Sequence, residues 1–153
     1  MQLPEVKDTF FEDVEIGQEI PTISMGPLSH THFLTIASSH HDWYPGHHDV
    51  EYAREQGLPD IFMNTTWQCG LFQRALCAWG GPNSIPRRVK IKMGRPIVRY
   101  ETVMTKAIVT GRRSEDGEHL VDLDIWMDKI DPSGNEIEKI TTGSATVVLP
   151  SKA

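Results

Sequence analysis

The pattern of apolar and polar positions divides the chain into a helical, loop-rich first half and a second half of strands. Residues 18–25 are predicted to form a first strand. Ser29 is a suitable N-cap for a helix that runs to about residue 40. Asp49 is predicted to cap a short helix that Gly57 closes.

A longer helix is predicted between residues 64 and 79. Its apolar side chains cover most of the helical circumference: Trp67, Leu71, Phe72, Leu76 and Trp79. A helix that is apolar nearly all round is normally buried, so this one is expected to lie in the core. The sequence Gly-Gly-Pro at 80–82 is expected to end it.

The second half alternates with a period of two, which is typical of antiparallel strands with one buried face. Apolar side chains at 89, 91 and 93 face away from basic ones at 88, 90 and 92, and those at 121, 123, 125 and 127 face away from Asp122, Asp124 and Asp128. Residues 114–118 and 131–135 carry hairpin signals. A buried helix followed by four meandering strands predicts an α+β fold, with a curved antiparallel sheet wrapped around one long helix.

The chain has 153 residues, which is the size of one ordinary domain. A single domain over 1–153 is therefore expected, with an ordered core over about 10–150 and loose ends at the first ten and last three residues. Hydrophobic residues make up 39% and charged residues 24%, a balance typical of a globular protein.

The net charge of −6 argues against a nucleic-acid partner, since such proteins usually carry a basic surplus. No apolar run approaches the roughly 20 residues needed to span a bilayer, and no signal peptide is recognised at the start. Cys69 and Cys77 lie about 12 Å apart along the predicted helix, too far for a disulfide within the chain. They are interpreted as core-filling residues of a cytoplasmic protein.

Histidines and carboxylates are concentrated in the loop from His40 to Asp49. Three interpretations compete: a solvated polar loop, a metal site, and general acid–base catalysis by one aspartate and one histidine. Adjacent histidines rarely bind one ion together, which weighs against the metal site.

Residues 42–47, Asp-Trp-Tyr-Pro-Gly-His, resemble the Asp-x-Asn-Pro-x-His signature of the MaoC-like (R)-specific enoyl-CoA hydratases and dehydratases. The similarity continues through His-His-Asp-Val-Glu-Tyr-Ala at 47–53 and Gly-Leu-Pro at 57–59, and it includes Phe-Glu-Asp-Val-Glu-Ile-Gly at 11–17. This resemblance covers most of the chain and implies the hot-dog fold.

Three positions depart from the family pattern. Tyr44 replaces the usual Asn, Asn64-Thr65 stands where His-Gly is common, and Tyr-Glu-Thr-Val at 100–103 replaces Gly-Asp-Thr-Leu. Residues 60–65 and 79–82 are more similar to a subgroup of short MaoC-like proteins. Members of that subgroup are linked to acyl-CoA catabolism, including steroid side-chain degradation, and some work with a second, different MaoC-like chain.

The resemblance implies hydration of a 2-enoyl-CoA, or dehydration of a 3-hydroxyacyl-CoA, by Asp42 and His47 acting on one water. Asp42 is expected to act mainly as the base, while His47 orients the water. The backbone N–H of Thr65 is expected to donate to the thioester oxygen, because a helix start offers free N–H groups. The side chain of Asn64 is a second candidate donor.

Further substrate contacts are expected from three side chains. Tyr44 is interpreted either as a wall of the acyl pocket or as a residue packed under the loop. Arg88 and Lys90 could meet the phosphates of coenzyme A, or could belong to a solvated strand face. Coenzyme A is expected only as part of the acyl-CoA substrate, with no metal or redox cofactor.

A single hot-dog unit leaves a sheet edge and a helix flank uncovered. The resemblance therefore implies a homodimer or higher oligomer, or a heteromer with a second MaoC-like chain. Three alternatives stay open: a hot-dog thioesterase, a non-catalytic acyl-CoA-binding subunit, and a module that binds an unrelated small molecule.

Overall fold

The structure is a computed structural model that describes residues 7–152; the remaining residues of the predicted domain, 1–6 and 153, lie outside the described residues. Its helices are α1 (His30–His40), α2 (Val50–Glu55) and α3 (Thr65–Gly80), with short 3-10 helices at Phe11–Asp13 and Pro45–His47. Its strands are β1 (Ile23–Met25), β2 (Ile85–Met93), β3 (Thr102–Glu115), β4 (Glu118–Ile130) and β5 (Glu136–Val148).

The helix starts predicted from capping residues are confirmed. The Ser29 side chain accepts from the N–H of His32 at the start of α1. The Asp49 side chain accepts from two N–H groups in the first turn of α2. These bonds satisfy donors that would otherwise lack partners at a helix start.

The first strand is shorter than predicted. The predicted range 18–25 contains β1 only from residue 23, although Ile20 donates its N–H to the carbonyl of Ala107 at 3.1 Å. Pro21 has no N–H to give to a ladder, which explains why regular pairing is interrupted before β1.

The sheet has the order β1-β3-β4-β5-β2, with antiparallel neighbours throughout. The prediction of four strands meandering in sequence is therefore wrong for β2, which pairs with β5 rather than with β3. Gly143 explains how closely these two strands approach: a Cβ atom at this position would lie 2.1 Å from the carbonyl oxygen of Lys90. Alternation identifies strands and faces, but strand partners depend on such non-local contacts.

The sheet curves around α3, as the α+β prediction requires. The buried face of α3 carries Trp67, Leu71, Phe72, Ala75, Leu76 and Trp79. These side chains belong to the same core cluster as the inward-facing residues of β4 and β5, including Val121, Leu123, Ile125, Ala145 and Val147. This is the architecture of the hot-dog fold.

The other flank of α3 is not buried within the chain, which corrects the expectation of a helix covered all round. Gly70, Gln73, Arg74 and Cys77 are exposed on it. Cys77 is thus not a core-filling residue, and Cys69 is half-buried.

Two further expectations are corrected by contacts that sequence periodicity does not show. Asp128 was predicted on the polar face of its strand, but it is buried. Its carboxylate accepts from the indole N–H of Trp126 at 3.0 Å and lies near the Lys106 ammonium, so its charge has partners inside the protein.

The described ends are not loose: Thr9 donates its N–H to the carbonyl of Gly80 at 3.0 Å, and Lys152 donates its N–H to Glu12 at 3.2 Å.

Candidate active site

The end of α1 places Asp42. His41 has a left-handed backbone (φ 53°), and the N–H of Asp42 turns back to donate to the carbonyl of Ala37 at 3.0 Å. Such a left-handed residue commonly ends a helix, although it is usually glycine. The helix terminus therefore fixes the backbone of Asp42 directly.

The 3-10 turn at Pro45–His47 places His47 beside the chain that leads into α3. Nδ1 of His47 lies 2.8 Å from the carbonyl oxygen of Phe62, and the N–H of Phe62 donates to the carbonyl of Gly46 at 3.1 Å. A Cβ atom on Gly46 would lie 2.5 Å from the Tyr44 ring and 2.9 Å from the Phe62 ring. Only glycine fits this close approach without moving an aromatic ring.

The two predicted catalytic side chains, Asp42 and His47 (hereafter the dyad), lie together. Nε2 of His47 is 3.5 Å from Oδ2 of Asp42, and the two side chains are 11% and 36% exposed, respectively. A carbonyl only accepts, so the proton of the neutral imidazole is on the Nδ1 that faces Phe62. Nε2 then turns its lone pair toward the carboxylate.

Asn64 connects the dyad to α3. Its Oδ1 accepts from the N–H of Trp67 at 2.7 Å, and its Nδ2 donates to Oδ2 of Asp42 at 2.8 Å. The side chain is therefore both the N-cap of α3 and a neighbour of the predicted base. The expectation of Asn64 as a substrate donor stays a prediction, but one of its amide hydrogens is already bonded to Asp42.

Thr65 is the first residue of α3, and its side-chain hydroxyl lies 3.6 Å from the sulfur of Met93. The first N–H groups of a helix have no partner within the helix. The N–H groups of Thr65 and Thr66 are in this position, whereas that of Trp67 is occupied by the Asn64 cap. The start of α3 therefore offers backbone donors and the positive end of the helix dipole.

These groups line one cavity of about 510 Å³ (hereafter the active-site cavity). Its walls are residues 62–66 and 93–96 together with Asp42, His47 and Gln68. Its volume lies within the range of roughly 300–1,000 Å³ typical of small-molecule sites. The structure thus brings Asp42, His47, Asn64 and Thr65 together, as the sequence predicts.

Gln68 is a polar wall residue that sequence reasoning missed. It is buried, its Oε1 accepts from the hydroxyl of Thr141 at 2.7 Å, and its Nε2 lies 3.2 Å from the sulfur of Met93. The available signal was that Gln68 is one of the few polar residues after the first turn of the predicted helix. Periodicity alone does not distinguish a buried glutamine from a solvated one.

Arg95 is the cationic wall residue of the active-site cavity, and it was also missed. Its guanidinium donates to Glu101 at 2.9 and 3.0 Å and to Glu138 at 2.9 Å. Burial opposes ionisation of Glu101, but hydrogen bonds from Arg95 and Lys129 outweigh it and hold the pKa of Glu101 below its ordinary value. Arg95 is therefore neutralised by carboxylates before any ligand binds.

A second ion pair fixes the approach to α3. Arg99 donates to both carboxylate oxygens of Asp60, at 2.7 and 2.8 Å. Partial burial opposes ionisation of Asp60, yet the hydrogen bonds and charge of Arg99 prevail and lower its pKa. This pairing fixes the segment that continues through Phe62 to Asn64.

Three predicted substrate contacts lie outside the lining of the active-site cavity. Tyr44 is 43% exposed, and its ring lies edge-on against the rings of His47, Tyr52 and Phe62. Arg88 and Lys90 are exposed on β2 and do not reach this cavity within one chain.

The neighbouring histidines do not join the dyad. His40 and His41 are exposed, and Nε2 of His48 lies 3.2 Å from the carbonyl oxygen of Trp43. Within residues 7–152, no group of three or more histidine, cysteine, aspartate or glutamate side chains is arranged to hold a metal ion.

Within residues 7–152, no helix is long and apolar enough to span a membrane.

Comparison with known proteins gives one curated relative with clear sequence similarity. It is the 3-oxo-4,17-pregnadiene-20-carboxyl-CoA hydratase beta subunit of Mycobacterium tuberculosis, 34% identical over 80 residues. The match covers 52% of this chain and 62% of the relative, so the chain spans less than two thirds of that relative's length. No family model matches the chain.

Solved structures extend the similarity over most of the chain. A chain of the ChsH1-ChsH2 complex from Mycobacterium tuberculosis superposes with a TM-score of 0.75 at 25% identity, covering 88% of this chain and 98% of that one. The MaoC-like dehydratase from Rhodospirillum rubrum superposes with a TM-score of 0.74 at 16% identity, over 95% of this chain and 99% of that one, a likeness of fold alone.

The fold and the arrangement of the site define a hot-dog protein with a neighbouring aspartate and histidine beside the start of its central helix. The chain is similar in sequence to a hydratase subunit and in fold to MaoC-like hot-dog proteins.

Proposed function

We propose that this protein catalyses the reversible addition of water to a 2-enoyl-CoA thioester. One observation carries the proposal: Oδ2 of Asp42 and Nε2 of His47 lie 3.5 Å apart on the wall of the active-site cavity. With the His47 proton on the Nδ1 that faces Phe62, both atoms are acceptors, and two acceptors so close repel unless a donor lies between them. A water molecule, which donates one hydrogen to each at about 2.8 Å, meets that requirement.

In the hydration direction, the oxygen of this water attacks the β-carbon of the enoyl group. The dyad takes one proton from the water, and the electrons of the double bond move onto the thioester oxygen as an enolate. The dyad then returns a proton to the α-carbon, so that one water adds across the double bond. Acid–base assistance of this kind is worth roughly 10²–10⁴ in rate.

The enolate needs donors close to the thioester oxygen. The N–H of Thr65 at the start of α3 supplies one, supported by the dipole of a helix of 16 residues. Backbone donors of this type are held in place by the helix, so they need no reorganisation when charge develops. The dyad and the donor share one cavity, which is the arrangement that thioester hydration needs.

The acyl group is proposed from the relative. Because the similar subunit is named for a steroid-derived acyl-CoA, a ring-bearing enoyl-CoA is the first substrate to test, beside linear esters. Arg88 and Lys90 remain the proposed phosphate contacts. If they bind coenzyme A, Arg88→Gln and Lys90→Gln should raise the KM for acyl-CoA but not for the same acyl group on N-acetylcysteamine.

A second hot-dog chain is the proposed partner. The outer edge of β2 pairs with no strand among residues 7–152, and the exposed flank of α3 carries Gly70 and Cys77. An unpaired strand edge in water invites pairing with another chain. The hydratase relative is named as a beta subunit and the similar structure is a complex of two proteins, so a heteromer is proposed alongside a homodimer.

The test is loss of the conjugated enoyl absorbance with a panel of 2-enoyl-CoA esters. Asp42→Asn and His47→Ala should each lose at least 10²-fold in kcat. His40→Ala, which removes an exposed histidine of the same loop, should retain full activity. Release of free thiol instead of loss of absorbance would identify a thioesterase, and silence on every ester with and without a co-purified hot-dog chain would reject the proposal.

A further inference from the structure

The side chain of Asn64 has two ends with two different partners. The N–H of Trp67 can only donate, so the atom that faces it at 2.7 Å must be the amide oxygen. The amide nitrogen therefore points the other way and donates to Asp42 at 2.8 Å. The two bonds fix each other, because flipping the amide would break both.

Both neighbours of the Asp42 carboxylate meet the same oxygen. Nδ2 of Asn64 and Nε2 of His47 each approach Oδ2. Among the described residues, 7–152, Oδ1 of Asp42 receives no hydrogen bond. Asn64 is buried (6% exposed), whereas the Asp42 side chain is 36% exposed. The hydrogen bond from the Asn64 amide therefore restrains rotation of the more exposed Asp42 carboxylate.

We propose that Asn64 is the positioning residue of the dyad. It holds Oδ2 of Asp42 from the N-terminus of α3 and so fixes the orientation of the carboxylate toward the water that Asp42 shares with His47. The inference rests on the proposed hydratase function. It replaces the expectation that Asn64 donates to the thioester, since it assigns the amide to the base instead of to the substrate.

Substitutions at Asn64 can separate this role from helix capping, because serine, aspartate and asparagine are comparably good N-caps. Asn64→Ser removes the amide that holds Asp42 and keeps a cap. Its kcat should fall about 10- to 100-fold, the range for a hydrogen bond to a charged group, while KM stays within about twofold. Asn64→Asp also keeps the cap but sets a carboxylate against Asp42, so its kcat should fall further.

A matched control is available at the start of α2. Asp49→Ser exchanges one N-cap for another on a helix that does not line the active-site cavity, so its kcat should equal that of the wild type. The melting temperatures of Asn64→Ser and Asp49→Ser should both stay within about 4 °C of wild type. If the wild type is active, Asp42→Asn is inactive and Asn64→Ser keeps full kcat, then the proposed function stands and the positioning role is wrong.

A readout that needs no turnover tests the same contact. In a ¹⁵N–¹H spectrum, the side-chain amide proton of Asn64 that is bonded to Asp42 should resonate away from the position of a free asparagine amide and should exchange slowly with solvent. Asp42→Ala should abolish that shift and protection, whereas Asp49→Ser should leave both unchanged. A resonance that does not respond to Asp42→Ala overturns the inference, even if no substrate is found.

Discussion

Thr65 offers a way to delete a single backbone donor without changing the helix that carries it. Proline is tolerated at the first helical position, where its missing N–H has no helical partner. The residue before a proline must be extended, and Asn64 already is, with φ −74° and ψ 164°. Thr65→Pro should therefore fold normally while it lacks the N–H that we assign to the thioester oxygen.

The size of the effect follows from how many donors remain. Removing one oxyanion donor costs about 10²–10³ in rate, or about 2.7–4 kcal/mol. The N–H of Thr66 also faces no helical partner and lines the same cavity, so it can carry part of the charge. The loss in kcat for Thr65→Pro is thus expected near the lower end, about 100-fold.

The assay is steady-state hydration of the best enoyl-CoA ester, with thermal unfolding measured on the same samples. Thr65→Ala is the control, because it removes the hydroxyl near Met93 but keeps the N–H. It should stay within about threefold of wild type in kcat. A folded Thr65→Pro protein with wild-type kcat would refute the assignment of this N–H to the oxyanion.

The remaining predictions concern stability and the support of the site. Gly46→Ala places a Cβ atom 2.5 Å from the Tyr44 ring and 2.9 Å from the Phe62 ring. The unfolding free energy should drop by about 1–3 kcal/mol, and activity should fall because the turn that carries His47 is displaced. Gly70→Ala is the control, because a Cβ atom there meets open space and should cause neither loss. Gln68→Leu leaves the Thr141 hydroxyl without its acceptor and should cost about 1–3 kcal/mol in denaturant unfolding, whereas adding Thr141→Val should recover most of it. Because the pKa of Glu101 is lowered in the folded protein, its ionised form stabilises the fold fully above the ordinary pKa of 4.5. The melting temperature should therefore fall as the pH drops through the lowered pKa. In Glu101→Gln the melting temperature should depend less on pH over this range.

Local rules were enough to predict the elements that carry the dyad. Ser29 and Asp49 satisfy helix starts through bonds to residues only two or three positions away, so their role can be seen in the sequence. The resemblance to the Asp-x-Asn-Pro-x-His signature, and not the spacing alone, predicted that Asp42 and His47 act together on one water. Their observed separation of 3.5 Å agrees with that expectation.

Non-local contacts account for what the sequence did not reveal. The pairing of β2 with β5, the ion pair of Arg95 with Glu138, and the burial of Gln68 against Thr141 all join residues far apart in the chain. Alternation assigns a side chain to a face of a strand but does not identify what covers that face. For the same reason, periodicity placed Arg88 and Lys90 on the exposed face of their strand but could not show how far they lie from the active-site cavity.

The stretch from Asp60 to Asn64 holds the dyad in place in a chain that departs from the MaoC-like sequence pattern. Asp60 is fixed by Arg99, Phe62 bonds to the turn that carries His47, and Asn64 bonds to Asp42. The contacts of Phe62 use its backbone carbonyl and N–H, which substitution does not remove. The position commonly occupied by histidine in the MaoC-like pattern holds asparagine here, and this side chain both caps α3 and donates to Asp42.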